Sequence, residues 1–493
     1  MSVPFVEKRF EATMADGKNV TLTASGNDLG AVFRTLDGQP VLRDPAGGWF
    51  AEAPASAAGP ATRSRSGRRS NTSPGDPALR ATVSVAGDLP KPRWQSRRDN
   101  QRLLNLREEQ SPGAPKAPPQ RETIGDYFGL CLLVDFPDAQ ATIERQEIDA
   151  FCNLSGYSGF GNNGSVFDYF HDISMGRLRY RTLVLPCYTA HEPRSHYTDA
   201  SIPFGQRARE LITEALAFHR NAGVDFSGLT ADAQRAVYAV NIFYAGGAGE
   251  WGKGLWPHAS RLNTPIALAP GKNALDYQIS AIGDQLTLGV YCHENGHMLC
   301  DFPDLYAYPQ TRQKVGVGRY CLMCLGARAD EANPTQVCAY LKFRAGWGKA
   351  TDIVAGVNTL SASEPNRFLI HRKSATEYFI IERRRNAGRD KTLASSGLAI
   401  WHIDELGSNT DPEAAPEGHQ HAECVMLQAD GQSELELGID DGDASDLFGA
   451  EPNPVFTQGT ALSSDWWDGT PSGLQIHSVE SSNGDLRFVA TLA

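Results

Sequence analysis

Five consecutive residues concentrate the chemistry of this chain: His293-Glu294-Asn295-Gly296-His297. Histidines four apart on a helix stand one turn apart on the same face. Two imidazoles so placed can share one Zn²⁺, and the glutamate beside the first can act as base toward a metal-bound water. The competing reading is a surface helix with two solvated histidines. A catalytic zinc usually takes three protein ligands and keeps one position for water. Between His297 and Asp330 there is no glutamate or histidine, and the only acids are Asp301 and Asp304. At a rise of ~1.5 Å per residue, Asp301 in continued helix would lie ~6 Å beyond His297 and ~12 Å beyond His293 along the axis. Pro303 cannot continue a helix in register. The chain can turn back there and bring Asp304 under the metal, so Asp304 is taken as the third ligand and Asp301 is kept as the fallback.

These residues need a helix and a scaffold to hold it. Leu286 to Cys300 is expected to form that helix, with Leu286, Val290 and Met298 on its buried side. Residues 123–350 read as α/β. Phe128 to Phe136 and Ala236 to Tyr244 are apolar runs expected to be buried strands. Ser165 to Leu178 reads as an amphipathic helix capped by Ser165, and Arg207 to His219 as a second helix. After Gly-rich turns, an alternating stretch follows near Ile266-Ala267-Leu268-Ala269. His258, next to Pro257, is read as a structural or cleft residue rather than a ligand.

The stretch 293–306, ending Phe302-Pro303-Asp304-Leu305-Tyr306, resembles the zinc signature of the immune inhibitor A family of metzincin-type metallopeptidases. Met323, within Gly318 to Gly326, is similar to the family's Met-turn, the methionine beneath the metal. Asn333 to Gly348 resembles the helix that follows, and Gly397 to Glu405 a strand of the family's C-terminal domain. The likeness runs in patches from about residue 124 to the end. Relative to the family pattern, Cys300 stands where glycine is common, and one residue is inserted before the aspartate. The resemblance implies an α/β metzincin-like zinc protease domain, a propeptide-like N-terminal unit, protein substrates and export. Other metzincins often carry a tyrosine two residues after the methionine, and Leu325 stands there in this chain.

At 493 residues the chain is long enough for two or three domains. Residues 1–55 alternate apolar and polar positions between turn signals and read as a small β unit of three or four strands. No cysteine precedes Cys131, so this part cannot silence zinc through a thiolate; a carboxylate or a strand in the cleft would have to. Residues 56–122 are rich in Ala, Pro, Ser and Arg. Thirteen Lys and Arg against six Asp and Glu give +7, which leaves −19 for the remainder of a chain of net charge −12. That composition reads as a solvated, disordered linker open to cleavage, with a short helix from Trp94 to Glu109 inside it. Residues 351–493 contain recurring strands, among them 367–371, 377–382, 398–403 and 424–428. They read as an antiparallel β-sandwich. Asp440, Asp441, Asp443 and Asp446 surround a glycine in a carboxylate-dense loop and are candidate Ca²⁺ ligands, with a solvated acidic loop as the alternative.

The nine cysteines are too sparse for a disulfide scaffold. Cys321 and Cys324 read as small residues packing a turn, with a disulfide from this turn to Cys292 or Cys300 as the alternative. The acidic net charge argues against a nucleic-acid partner. No apolar run reaches the ~20 residues of a membrane span, and the first nine residues lack the apolar core of a secretory signal. Location is therefore open between export and cytoplasm, and a monomer is expected. The function that follows is a zinc endopeptidase: His293, His297 and Asp304 on the metal, Glu294 as general base. Its rival is a zincin-like binding protein whose C-terminal β domain recognises a surface glycan or protein. Glu294 separates the two, because a scaffold without hydrolysis has no chemical need of a base between intact histidines.

Overall fold

The computed structural model describes the chain except residues 1–3, 15–17, 27–29, 44–49, 53–82, 85–88, 111–121, 249–251, 309–315, 450–453 and 461. Period-two patterning at the N-terminus gives an antiparallel meander of β1 (Phe5–Thr13), β2 (Asn19–Gly26), β3 (Gly30–Thr35), β4 (Pro40–Arg43) and β5 (Phe50–Glu52). A short β6 (Val83–Ser84) adds to β3. The unit is thus larger than the three or four strands expected. Leu22, Ala24, Phe33 and Val41 on one face pack with Trp256 of the central domain.

The central sheet has the order β10-β11-β9-β7-β8, from β7 (Gly125–Asp135), β8 (Leu178–Thr189), β9 (Val240–Tyr244), β10 (His258–Ala269) and β11 (Lys272–Ala281). The pairs β7/β8, β7/β9 and β9/β11 are parallel, and β10 closes the edge antiparallel to β11. Strand β7 is a continuous apolar run because both its faces are covered. Leu130, Leu132 and Val134 face one layer, with Leu211, Ile212 and Leu216 of a helix at Gln206–Asn221. Cys131 and Leu133 face the other, with Ile148, Val166, Phe170 and Met298 from three helices, the last of them Leu288–Cys300. The expected Ser165 cap is present: Ser165 Oγ accepts from the Asp168 N–H at 3.2 Å, and Asp168 Oδ2 accepts from the Ser165 N–H at 2.8 Å.

Beyond residue 348 the chain builds two sheets. One runs β12-β14-β15-β16-β17, with β12 at Lys349–Asp352, β14 at Arg367–Arg372, β15 at Glu377–Arg384, β16 at Gly397–Asp404 and β17 at Cys424–Leu427. The other runs β13-β19-β18, from Gly356–Leu360, Asp485–Leu492 and Leu474–Ser482. All their pairs are antiparallel except β12/β14. The larger sheet is buried on both faces. Phe379, Ile381, Leu398 and Ile400 meet Ile476 and Phe488 of the smaller sheet, while Tyr378, Ile380, Ala399, Trp401 and Ile403 meet the central domain. Among the described residues no helix is long and apolar enough to cross a membrane.

One buried arginine ties this sheet to the turn that carries Met323. Arg384 donates to Asp390 Oδ1 and Oδ2 at 2.8 and 2.9 Å, to Glu382 Oε1 at 3.2 Å and to the Tyr320 carbonyl at 2.8 Å. Removing one partner of a buried charged network leaves the others uncompensated. Arg384→Leu is expected to cost about 3–5 kcal/mol in urea unfolding. A loss below about 1 kcal/mol would show that the network does not hold the two domains together.

Candidate metal centre

The helix Leu288–Cys300 can lie deep in the molecule because it is small-sided where other backbone crosses it. A Cβ on Gly289 would stand 1.9 Å from the Ala327 carbonyl oxygen, and one on Gly296 would stand 3.1 Å from Met323 Sδ. Asn295 fastens the helix to the sheet. Its Oδ1 accepts from Tyr180 Oη at 2.8 Å, and its Nδ2 donates to Asn241 Oδ1 at 3.0 Å. The helix ends at Asp301, which takes a left-handed conformation with φ 55°. Aspartate tolerates that region better than most residues. The chain therefore turns back two residues before Pro303, the turning point expected from the sequence.

That reversal brings Asp304 under the two histidines. Asp304 Oδ1 lies 3.1 Å from His293 Nε2 and 3.3 Å from His297 Nε2, and the two Nε2 atoms lie 3.1 Å apart. Zinc bonds of ~2.0–2.1 Å at tetrahedral angles require ligand edges of roughly 3.3–3.4 Å, so the three donors fit the ion. The tautomers fit as well. His293 Nδ1 donates to the Leu322 carbonyl at 3.0 Å and His297 Nδ1 to the Phe302 carbonyl at 2.6 Å. Each ring then presents an Nε2 lone pair to the centre. Burial alone would raise the Asp304 carboxyl, but His297 and His293 beside it hold it well below the usual carboxylate range. It remains an anionic donor.

Glu294 is fully buried, and its charge acts on both His297 and Tyr308. Met323 is fully buried against Gly296, which lies between His293 and His297 in sequence. Its carbonyl accepts from the Leu305 N–H at 2.8 Å, which helps to hold the Asp304 segment. Tyr308, which the sequence reading did not single out, donates its hydroxyl to Asp304 Oδ2 at 2.7 Å. A signal was available: it stands four residues after Asp304, in the same returning segment. No family model matches the chain, and no curated protein matches it.

The basic segment supplies the second residue the sequence reading missed. The expected helix is present as α1 (Arg93–Gln110), but it is docked rather than solvated. Trp94 is 5% exposed and stacks on the His297 ring at 4.2 Å with the planes 9° apart. Arg97 Nε donates to Asp301 Oδ1 at 2.9 Å, and Arg98 pairs with Glu423. The Arg93 N–H donates to Asp276 Oδ2 at 3.0 Å, and the Pro90 carbonyl accepts from Ser260 Oγ of the edge strand β10 at 3.3 Å. Residues 56–82, 85–88 and 111–121 of the expected linker lie outside the described residues. Among those described, the group of the N-terminal 122 residues placed on the triad is an indole, not the carboxylate or strand expected. Asp301, the fallback ligand, faces Arg97 and takes no part in the triad.

The acidic loop is rearranged relative to expectation. Asp440 and Asp443 gather with Glu434, and Asp443 and Asp446 with Asp430, each set with oxygen atoms within 4.8 Å of one another. Asp441 instead pairs with Arg319. Asp430 and Glu434 escaped notice because they lie on the far side of a turn. All nine cysteines are free thiols, so no disulfide joins the Met323 turn to Cys292 or Cys300. His258 is structural, as expected. It is buried, with Nδ1 donating to the Trp256 carbonyl at 2.7 Å and Nε2 accepting from Tyr277 Oη at 3.1 Å.

Burial pushes the His258 imidazole down to about 3 from its ordinary 6.5. The fold keeps it neutral while the unfolded chain takes up a proton. Its contribution to stability is full above pH about 6.5 and is lost as pH falls toward 3. His258→Gln is expected to flatten this part of a plot of melting temperature against pH while leaving the circular dichroism at neutral pH unchanged. An equally steep acid limb in the variant would contradict the assignment.

Proposed function

We propose that this chain is a zinc-dependent endopeptidase of the immune inhibitor A kind, acting on proteins. The observation that carries the reading is the convergence of two Nε2 atoms and one carboxylate oxygen beside a buried glutamate. Zinc held there by His293, His297 and Asp304 would supply Lewis acidity toward a carbonyl and would lower the pKa of a bound water to about 7. Glu294, buried beside these donors, would serve as the general base and then as the general acid toward a departing amine. Asp304 stays ionised and is oriented by the Tyr308 hydroxyl, while Leu322 and Phe302 fix the two imidazoles. The edge strand β10 offers an extended peptide a strand to pair with. Calcium belongs to the same reading, with Asp430 and Glu434 in place of Asp441.

The rival reading, a zincin-like binding protein, has no use for Glu294 at this position. Three purified proteins separate them. Wild type, after tryptic cleavage of the 56–122 segment, is expected to hold zinc and hydrolyse casein. Glu294→Ala should retain zinc and lose about 10²–10⁴-fold in rate. Asp304→Ala should lose zinc. A wild-type chain that binds zinc but stays silent after cleavage would favour the binding protein.

The docked helix α1 gives the N-terminal part a role in the same reading, as a cover that keeps the uncut chain latent. Trp94→Ala combined with Arg98→Ala is expected to raise casein hydrolysis by the uncut chain several-fold. The cleaved enzyme should keep the same rate with or without these changes. An unchanged rate in the uncut variant would remove α1 from the role of cover.

A further inference from the structure

A second group of metal-ligating side chains lies in the C-terminal domain, apart from the triad. Asp404 ends strand β16 and is buried; His419 and His421 come from the long connection to β17. Their ligand atoms all lie within 4.8 Å of one another. Asp404 Oδ2 stands 2.7 Å from His419 Nδ1 and 2.7 Å from His421 Nε2. We propose that Asp404, His419 and His421 form a second site for a divalent transition metal, zinc or a close relative.

Four features support this. The carboxylate is aimed: Asp404 Oδ1 accepts from the Leu406 N–H at 3.0 Å, which leaves Oδ2 toward the rings. One ring is clamped, with His421 stacked on Trp467 at 4.1 Å and 10°, and Trp467 stacked on its other neighbour His402 at 4.9 Å and 15°. The rings of His419 and His421 lie 6.2 Å apart and 56° out of plane, so their nitrogens reach one carboxylate oxygen from different directions. The histidine side chains are 19% and 14% exposed against 1% for Asp404, so the open side faces solvent, where water can complete the coordination. Without an ion, each imidazole donates a proton to the shared oxygen. With one, each ring moves that proton to its other nitrogen, and the two 2.7 Å separations open by roughly half an ångström to tetrahedral edges. Two imidazoles and a carboxylate suit zinc, cobalt or nickel better than calcium.

The site would act by closing a loop. Residues 405–423 contain no strand and no α-helix, and they are tied across their ends by the Ser408 N–H to the His421 carbonyl at 2.9 Å. Within the loop, the Thr410 carbonyl accepts from the Tyr308 N–H at 3.1 Å. A metal clip at the base of the loop therefore steadies the tyrosine that orients Asp304. The assignment stands on its own residues and does not depend on the endopeptidase reading.

The test is a count of bound metal on the full chain, stripped with a chelator and titrated with Co²⁺ in excess Ca²⁺. The visible cobalt bands report nitrogen-rich coordination. Wild type is expected to take two equivalents, and His421→Gln and His419→Gln one each, with circular dichroism confirming the fold. His293→Gln should also take one, and its loss should be independent of the other. One equivalent in wild type that is unchanged in His421→Gln would overturn the proposal. If wild type takes one equivalent that is lost in His421→Gln but kept in His293→Gln, the second site stands and the triad fails. Should the glutamine variants not fold, anomalous diffraction at the zinc edge from zinc-soaked wild-type crystals decides. A peak between Asp404, His419 and His421 supports the site, and its absence overturns it.

Discussion

A carboxylate and two imidazoles taken completely out of water constrain this molecule more than any other feature. Asp304, His293 and His297 are each 0–1% exposed. Groups of this kind are tolerated in an interior only when every polar atom is answered. The answer comes from three separate segments. The helix supplies both rings, the returning chain supplies Phe302, Asp304 and Tyr308, and the 320–326 turn supplies the Leu322 carbonyl and Met323. None of these can shift without exposing a polar partner to an apolar surround. The closeness of Gly296 to Met323 Sδ follows from the same demand, since a side chain there would push the turn away.

The C-terminal sheet extends this constraint. Strands buried on both faces lose the alternation that marks a half-exposed sheet, and β16 is buried along its whole length. One face completes its own sandwich and the other closes the core that surrounds the helix Leu288–Cys300. Arg384 carries the connection to an individual atom, the Tyr320 carbonyl, next to the turn that places Leu322 and Met323. The domain is therefore better understood as a wall of the site than as an appendage. A binding surface on its outer side would still leave this inner face committed to the centre.

How much of this was legible in the sequence depends on the range of the interaction involved. His293, Glu294 and His297 were legible because helical spacing is local and rigid. Asp304 followed by elimination, but the turn that delivers it was placed at Pro303 when Asp301 makes it with a positive φ; proline is a visible breaker and a left-handed aspartate is not. Strands β7 and β14 to β17 were read with small boundary errors and β9 four residues too long, since apolar runs record burial directly; β8 and β11 were not read, and Leu178, which opens β8, was assigned to the preceding helix. Tyr308, Glu423 and Trp94 were not found. Their roles depend on partners 4, 325 and 203 positions away in sequence, and only the first of those lies within reach of a local rule. Within the basic stretch the helix Arg93–Gln110 was misread for a related reason: low apolar content signals disorder only where no charged partner waits, and here the partner is an acidic body of net charge −19.

That electrostatic complementarity also explains what kind of cover α1 makes. A helix held by apolar burial would cost roughly 25 cal/mol per Å² of surface to remove. This helix is held largely by guanidinium–carboxylate pairs: Arg93 with Asp232, Arg97 with Asp301, Arg98 with Glu423. Charges regain hydration when such pairs part, which returns much of the attraction lost. Trp94 is the apolar exception, and it is the residue that touches the triad. A segment built this way docks with specificity, because five donors on a guanidinium must find matched oxygens. It departs at modest cost once the chain on either side no longer holds it near. On the endopeptidase reading, a cut in the 56–122 segment need not break the helix contacts themselves. It lowers the effective concentration of α1 at the cleft, and water does the rest.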